Sequence, residues 1–168
     1  MKILCSLAVL ILAGCAHADT PAPVSEDMLA PIDLSTPEAA AYSMMRAMYQ
    51  GDAEMVDQVF LDGAALRRVR DDGEVRPDGL QRWRDWVGTL EIGQAHEELF
   101  GVRTEQFGTL ATVWAPFEVS VDGALVGCGV NTLTLARVDG DWRVIFGMDT
   151  GEPADTCPGF KTRYLAAN

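Results

Sequence analysis

The sequence predicts an α+β domain, with helices first and a long antiparallel sheet after them. Three observations predict it. Residues Leu110 to Thr150 form three β-rich runs, separated by Val121-Asp122-Gly123-Ala124 and Val138-Asp139-Gly140-Asp141. Asp-Gly between such runs is the strongest short-range hairpin signal a sequence offers. Upstream, Ala41, Met44, Met45 and Met48 recur at helical spacing and need a sheet to cover. The 168 residues are 48% apolar and 23% charged, which suits a single core.

Residues 1–14, MKILCSLAVLILAG, have a short basic start at Lys2 and an apolar run too short to span a bilayer. They read as a signal peptide. Leu12-Ala13-Gly14-Cys15 resembles the bacterial lipobox, in which the cysteine is lipidated and becomes the new N-terminus. Ala16 after that cysteine, rather than an aspartate, resembles lipoproteins sent to the outer membrane. A rival site, Ala16-His17-Ala18 before Asp19, would instead release a soluble periplasmic protein. The expected address is the periplasmic side of a bacterial envelope, held to the membrane by a lipid anchor.

Residues 15–35 carry Pro21, Pro23 and Pro31, frequent acids and no apolar period. They read as a flexible tether, averaging ~25 Å end to end. A helix then opens at Ser35-Thr36-Pro37-Glu38. Ser35 with Glu38 fits a capping box, and Thr36 as cap with Pro37 in the first turn fits nearly as well. Gly51 ends this helix and Asp52 caps a second, whose buried face is Met55, Val56, Val59 and Phe60. Leu66 to Arg76, centred on Asp72-Gly73, reads as a small hairpin. Pro77-Asp78-Gly79 starts a third helix with Leu80, Trp83 and Val87 on one side and Trp86 close to it, and Gly88 stops it. Glu91 to Phe107 carries a first long strand, clearest from Glu98 to Gln106.

Charge and cysteines bound the partners. A formal net charge of −12 repels phosphate backbones, so nucleic acid is not an expected partner. Yet Arg67, Arg68, Arg70, Arg76, Arg82 and Arg84 crowd one short segment, either as a solvated face offsetting Asp71, Asp72 and Glu74 or as an anion site. Cys5 leaves with the leader and Cys15 takes lipid. Cys128 and Cys157 remain as a pair in an oxidising compartment, where a disulfide is expected and two buried thiols are the alternative. No metal and no cofactor are expected.

The element order, with the residues of the meander, resembles the NTF2-like (nuclear transport factor 2) superfamily, including its SnoaL-like members. Ala111-Thr112-Val113-Trp114-Ala115-Pro116-Phe117-Glu118, Cys128-Gly129-Val130 and Gly140-Asp141-Trp142-Arg143-Val144 are similar to a bacterial subfamily labelled lumazine-binding. The resemblance implies a cone, with a curved antiparallel sheet wrapped around the N-terminal helices, over residues 36–157, leaving 158–168 as a tail. It also implies a homodimer through the sheet. The subfamily pattern has a histidine before the cysteine and an acid after Gly-Val, where this chain has Gly127 and Asn131.

The candidate chemistry follows strand parity. On the run from Leu110 the odd positions Ala111 to Val121 are uniformly apolar and face the core, while Trp114 and Glu118 lie on the other side. Pro116 suggests a bulge that would turn Trp114 or Glu118 inward. Asn131 could hydrogen-bond a ligand. His96, in His96-Glu97-Glu98, could act as a base, and so could Asp149 at the end of the last strand. Core packing explains the Met stripe more simply, solvation or a structural role explains Glu118, His96 and Asp149 more simply, and contact with water or backbone explains Asn131 more simply. Met45, Trp86, Trp114, Glu118 and Asn131 remain the expected ligand contacts, and His96, Glu118 and Asp149 the catalytic candidates. Because Asn131 stands where an acid was expected, the reading leans to a non-catalytic domain that binds a small apolar or aromatic ligand or a protein partner. No ionisable group with a strongly raised pKa is expected deep in the cone. The alternatives are an isomerase or lyase of ketosteroid-isomerase type and a structural dimerisation module of the envelope.

Overall fold

A computed structural model of the chain describes residues 26–167. The residues expected to form a signal peptide, Cys15, the rival site at residues 16–18 and the first part of the expected tether lie outside the described residues.

Helix α1 spans Pro37–Gln50. Of the two caps open in sequence, Thr36 serves: its hydroxyl accepts from the Ala39 N–H at 3.1 Å, with Pro37 in the first turn. Gly51 ends the helix at φ +68°, and a Cβ there would lie 2.2 Å from the Leu90 carbonyl oxygen, so both conformation and space require glycine. Asp52 then caps α2, Ala53–Val59, accepting from the Glu54 and Met55 N–H groups.

Phe60, expected in that helix, is instead the first residue of strand β1, Phe60–Val69. After it come α3 (Leu80–Val87), β2 (Ala95–Leu99), β3 (Arg103–Phe107), β4 (Leu110–Val121), β5 (Ala124–Val138), β6 (Asp141–Thr150), the two-residue β7 (Glu152–Pro153) and α4 (Phe160–Ala167). The sheet order is β1-β6-β5-β4-β2, with β3 also on β4 and β7 on β5. Both Asp-Gly turns are present, with Asp122 at φ 51° and Asp139 at φ 54°, each followed by a positive-φ glycine, as the mirror-image hairpin turn demands.

The small hairpin expected at 66–76 is present: Val69 bridges Val75 antiparallel, the Arg70 N–H donates to the Glu74 carbonyl at 2.9 Å and the Arg76 N–H to the Arg68 carbonyl at 2.8 Å. Its first limb is also the end of β1, which pairs in parallel with β6. One expectation is corrected here. The single strand from 91 to 107 is two strands. It breaks at Phe100, whose N–H donates to the Pro116 carbonyl at 3.0 Å. Pro116 carries no N–H to continue the ladder, so it marks this break on the neighbouring edge and not a bulge of its own.

Register shifts at Phe60/Ala65, Val119/Ser120 and Thr134/Leu135 bend the sheet. Its concave face takes α1: Met44, Met45 and Met48 join Val113, Leu135 and Val144 in one buried cluster. Residues 26–35 also belong to this domain. Met28 and Ile32 pack on the cluster, Leu34 is buried in it, and the Ser43 hydroxyl both accepts from the Asp33 N–H at 2.8 Å and donates to the Asp33 carbonyl at 3.0 Å. The flexible tether therefore does not extend through this stretch, because its apolar residues, though aperiodic, have a groove to fill.

The tail expected at 158–168 contains α4, laid on β4. The Trp114 indole donates to the Tyr164 hydroxyl at 2.8 Å, the Glu118 carboxylate accepts the Lys161 N–H at 3.0 Å, and Phe160 packs edge-on against Phe100 with ring centroids 5.8 Å apart. A Cys128–Cys157 disulfide, with Cα atoms 5.6 Å apart, ties this segment to β5.

Candidate functional site

Where α1, α3, β1 and the open end of the sheet meet, they leave a cavity of about 630 Å³. Met44 and Met45 of α1, Leu66 of β1, and Trp83 and Trp86 of α3 form its apolar walls. Trp83 is fixed by an edge-on contact with Phe60, 6.1 Å between centroids.

The polar groups come from sheet parity. Asn131 shares the inward side of β5 with Leu133 and Leu135, and is 5% exposed. It stands opposite Asp149 of β6, which in turn stands opposite Arg68 of β1. On β2, Ala95 and Glu97 lie opposite Val121 and Val119, so Glu97 takes an inward position between apolar neighbours. The Asn131 side-chain amide donates to the Glu97 carboxylate at 2.6 Å. Arg68 grips Asp149 through its Nε, at 3.1 and 3.0 Å from the two carboxylate oxygens, and through its terminal nitrogen as well.

Burial pushes the Glu97 carboxyl up to about 7, against the pull of the Asn131 amide. The Asp149 charge adds to the rise and Arg68 offsets it. The guanidinium of Arg68 is itself raised, chiefly by its hydrogen bonds to Asp149. At neutral pH Glu97 is thus near half-protonated inside a cavity, where it can take or return a proton. An acid at 131 would have faced Glu97 and Asp149 with a third negative charge. Asn131 instead donates to the carboxylate the site already has. Among the described residues no group of three or more His, Cys, Asp or Glu side chains could hold a metal ion.

No protein-family model matches the chain, and no curated protein matches its sequence. Solved structures do match. An NTF2-like protein of unknown function from Shewanella baltica superposes with TM-score 0.52 at 17% identity, over 68% of this chain and 89% of that one. A protein from Streptomyces avermitilis, described as a candidate dehydratase of the NTF2-like family, gives TM-score 0.57 at 19% identity, over 71% of this chain and 96% of that one.

The fold is NTF2-like. In this NTF2-like cone Met45, Trp86, Asn131 and Asp149 line the cavity. Trp114, Glu118 and His96 do not. Trp114 and Glu118 are corrected to the outer face. β4 keeps regular register with β5 from Leu110 through Val119, so no bulge reverses their parity, and both are engaged by α4. His96 lies opposite Ser120, on the other side of β2 from Glu97, and sits edge-on to Tyr49 at 5.5 Å. The expectation of no strongly raised carboxyl in the cone is overturned by Glu97. The missed signal was the alternation Ala95-x-Glu97-x-Leu99, which puts one acid on an apolar side.

Proposed function

We propose that this protein binds a small molecule with an apolar or aromatic body in the cone cavity and exchanges a proton with it through Glu97, as an isomerase or lyase does. One observation carries the reading: a carboxyl raised to about 7, hydrogen-bonded at 2.6 Å, opening into an aromatic-walled cavity. A base works best with its pKa near the working pH, and burial supplies that shift here. In the forward step the Glu97 carboxylate takes a proton from an acidic carbon of the ligand, and Asn131 steadies the carboxylate beforehand. The protonated carboxyl then returns the proton to another atom of the ligand, or to a leaving group. Trp83 and Trp86 hold the flat body and keep water from the reacting carbon.

The same proposal includes export and attachment through Cys15, supported by the lipobox Leu12-Ala13-Gly14-Cys15. An unmodified mature N-terminus at Asp19, read by mass spectrometry, contradicts that part.

The catalytic part is tested with 2-tetralone, an aromatic ketone with acidic C–H bonds beside its carbonyl. Its deuterium uptake in heavy water is followed by NMR. Wild-type protein accelerates the uptake over buffer and Glu97→Gln does not. Binding of 2-tetralone without acceleration leaves a binding protein and removes the catalytic role.

A further inference from the structure

The cavity mouth carries a charge that the proton-exchange chemistry does not use. Arg67, Arg68, Arg76 and Arg82 line the cavity, against the two carboxylates Glu97 and Asp149. This surplus of positive charge occurs in a chain whose formal net charge is −12. Two of the four guanidiniums are accounted for: Arg68 pairs with Asp149, and the Arg76 Nε lies 3.7 Å from Glu74. Arg67 and Arg82, both exposed, make no direct ion pair among the described residues; Arg67 acts only at longer range on Asp78, whose carboxyl is held low chiefly by the Leu80 N–H and further by this cation, and Arg82 has no such carboxylate. Helix α3 makes the contrast internally. Arg84 is held by Asp57 through two hydrogen bonds of 2.6 Å, while Arg82, which lines the cavity, is left unpaired. Gly79 gives Arg82 its room. A Cβ there would stand 3.1 Å from the Arg82 terminal nitrogen, crowding the guanidinium against the start of the helix.

We propose that the ligand of this cavity is an aromatic carboxylate whose carboxylate group is taken by Arg67 and Arg82 at the mouth while its body lies along Trp83 and Trp86. The inference rests on the small-molecule reading above and adds the ligand's charge. Guanidinium groups bind carboxylates through charge-assisted, often bidentate, hydrogen bonds. A local positive mouth on an acidic protein also draws such a ligand to one place, since the rest of the surface repels it. Glu97, raised to about 7, carries on average only part of a negative charge at neutral pH, which lessens its repulsion toward an anion held at the rim.

The test is calorimetric titration of the full chain with 2-naphthoate and its neutral isostere 2-naphthamide, at low and high salt. Naphthoate is expected to bind about tenfold or more tightly than the amide at low salt, with the preference shrinking as salt screens the exposed rim. In the Arg67→Gln/Arg82→Gln double variant the two probes bind equally, and an unchanged affinity for the amide shows that the cavity is intact. Equal affinities in the wild type, or a preference that survives in the double variant, overturn the inference and leave the cavity reading standing. Binding of neither probe overturns both.

Discussion

Replacing Glu97 by glutamine should stabilise the protein at alkaline pH. The folded chain holds the Glu97 proton with a pKa of about 7, against 4.5 for an unperturbed carboxyl. A raised folded-state value means that the favourable contribution is fully present below about pH 4.5. It is lost as the pH rises through about 7, because the folded state must then bury a charge. At ~1.4 kcal/mol per pKa unit the loss approaches ~3 kcal/mol. That is the upper end, since the side chain keeps some contact with the cavity. Glutamine has nearly the same shape and cannot ionise. Wild type and Glu97→Gln should therefore differ little at pH 4.5, and the variant should be up to ~3 kcal/mol more stable at pH 8. For a domain of this size that corresponds to a rise in Tm of ~6–12 °C. Urea unfolding followed by tryptophan fluorescence at the two pH values, with the disulfide intact, measures it. A variant less stable than wild type at pH 8, or a difference that does not change with pH, refutes the reasoning.

Three further outcomes follow from the same geometry. Asn131→Ala removes the amide that holds the Glu97 value down, so the Glu97 midpoint, followed by carboxyl-carbon NMR, moves above about 7; a downward move contradicts the assignment. Arg68→Gln and Asp149→Asn should shift that midpoint in opposite directions, upward on losing the cation and downward on losing the anion, and a shared direction would break the charge account. Exchanging Cys128 and Cys157 for serine should lower stability by ~3–4 kcal/mol and speed amide hydrogen exchange in Phe160–Ala167, which the disulfide holds on the sheet; unchanged exchange there would show that the aromatic and carboxylate contacts of α4 suffice alone.

What could be read in the sequence was local. The Asp122-Gly123 and Asp139-Gly140 turns, the Thr36 and Asp52 caps and the Gly51 stop each declare themselves within four residues, because turn and cap chemistry is short-range. The inward parity of Ala111, Val113 and Ala115 followed from period two alone. What failed depended on partners far along the chain. The parallel pairing of β1 with β6 joins residues about eighty positions apart and leaves no turn signature. Trp114 and Glu118 were turned inward by a bulge expected at Pro116, whereas the proline is accommodated by a break in the strand beside it. His96 carries the more conspicuous chemistry of the pair, but it is Glu97 that holds the inward position. Position decides, since alternate residues of one strand face opposite ways. The arginine cluster was visible as composition, but only the fold shows which members face the cavity and make no direct ion pair.

Proton exchange at Glu97 requires a pKa near the working pH as well as its place in the cavity, and carboxyl-carbon NMR of glutamate-labelled protein measures that pKa directly. Wild type should show one glutamate resonance with a midpoint near 7, absent from Glu97→Gln. If every glutamate titrates in the ordinary carboxylate range and the variant only removes one such curve, Glu97 is a solvated acid and the cavity has no group poised to move a proton.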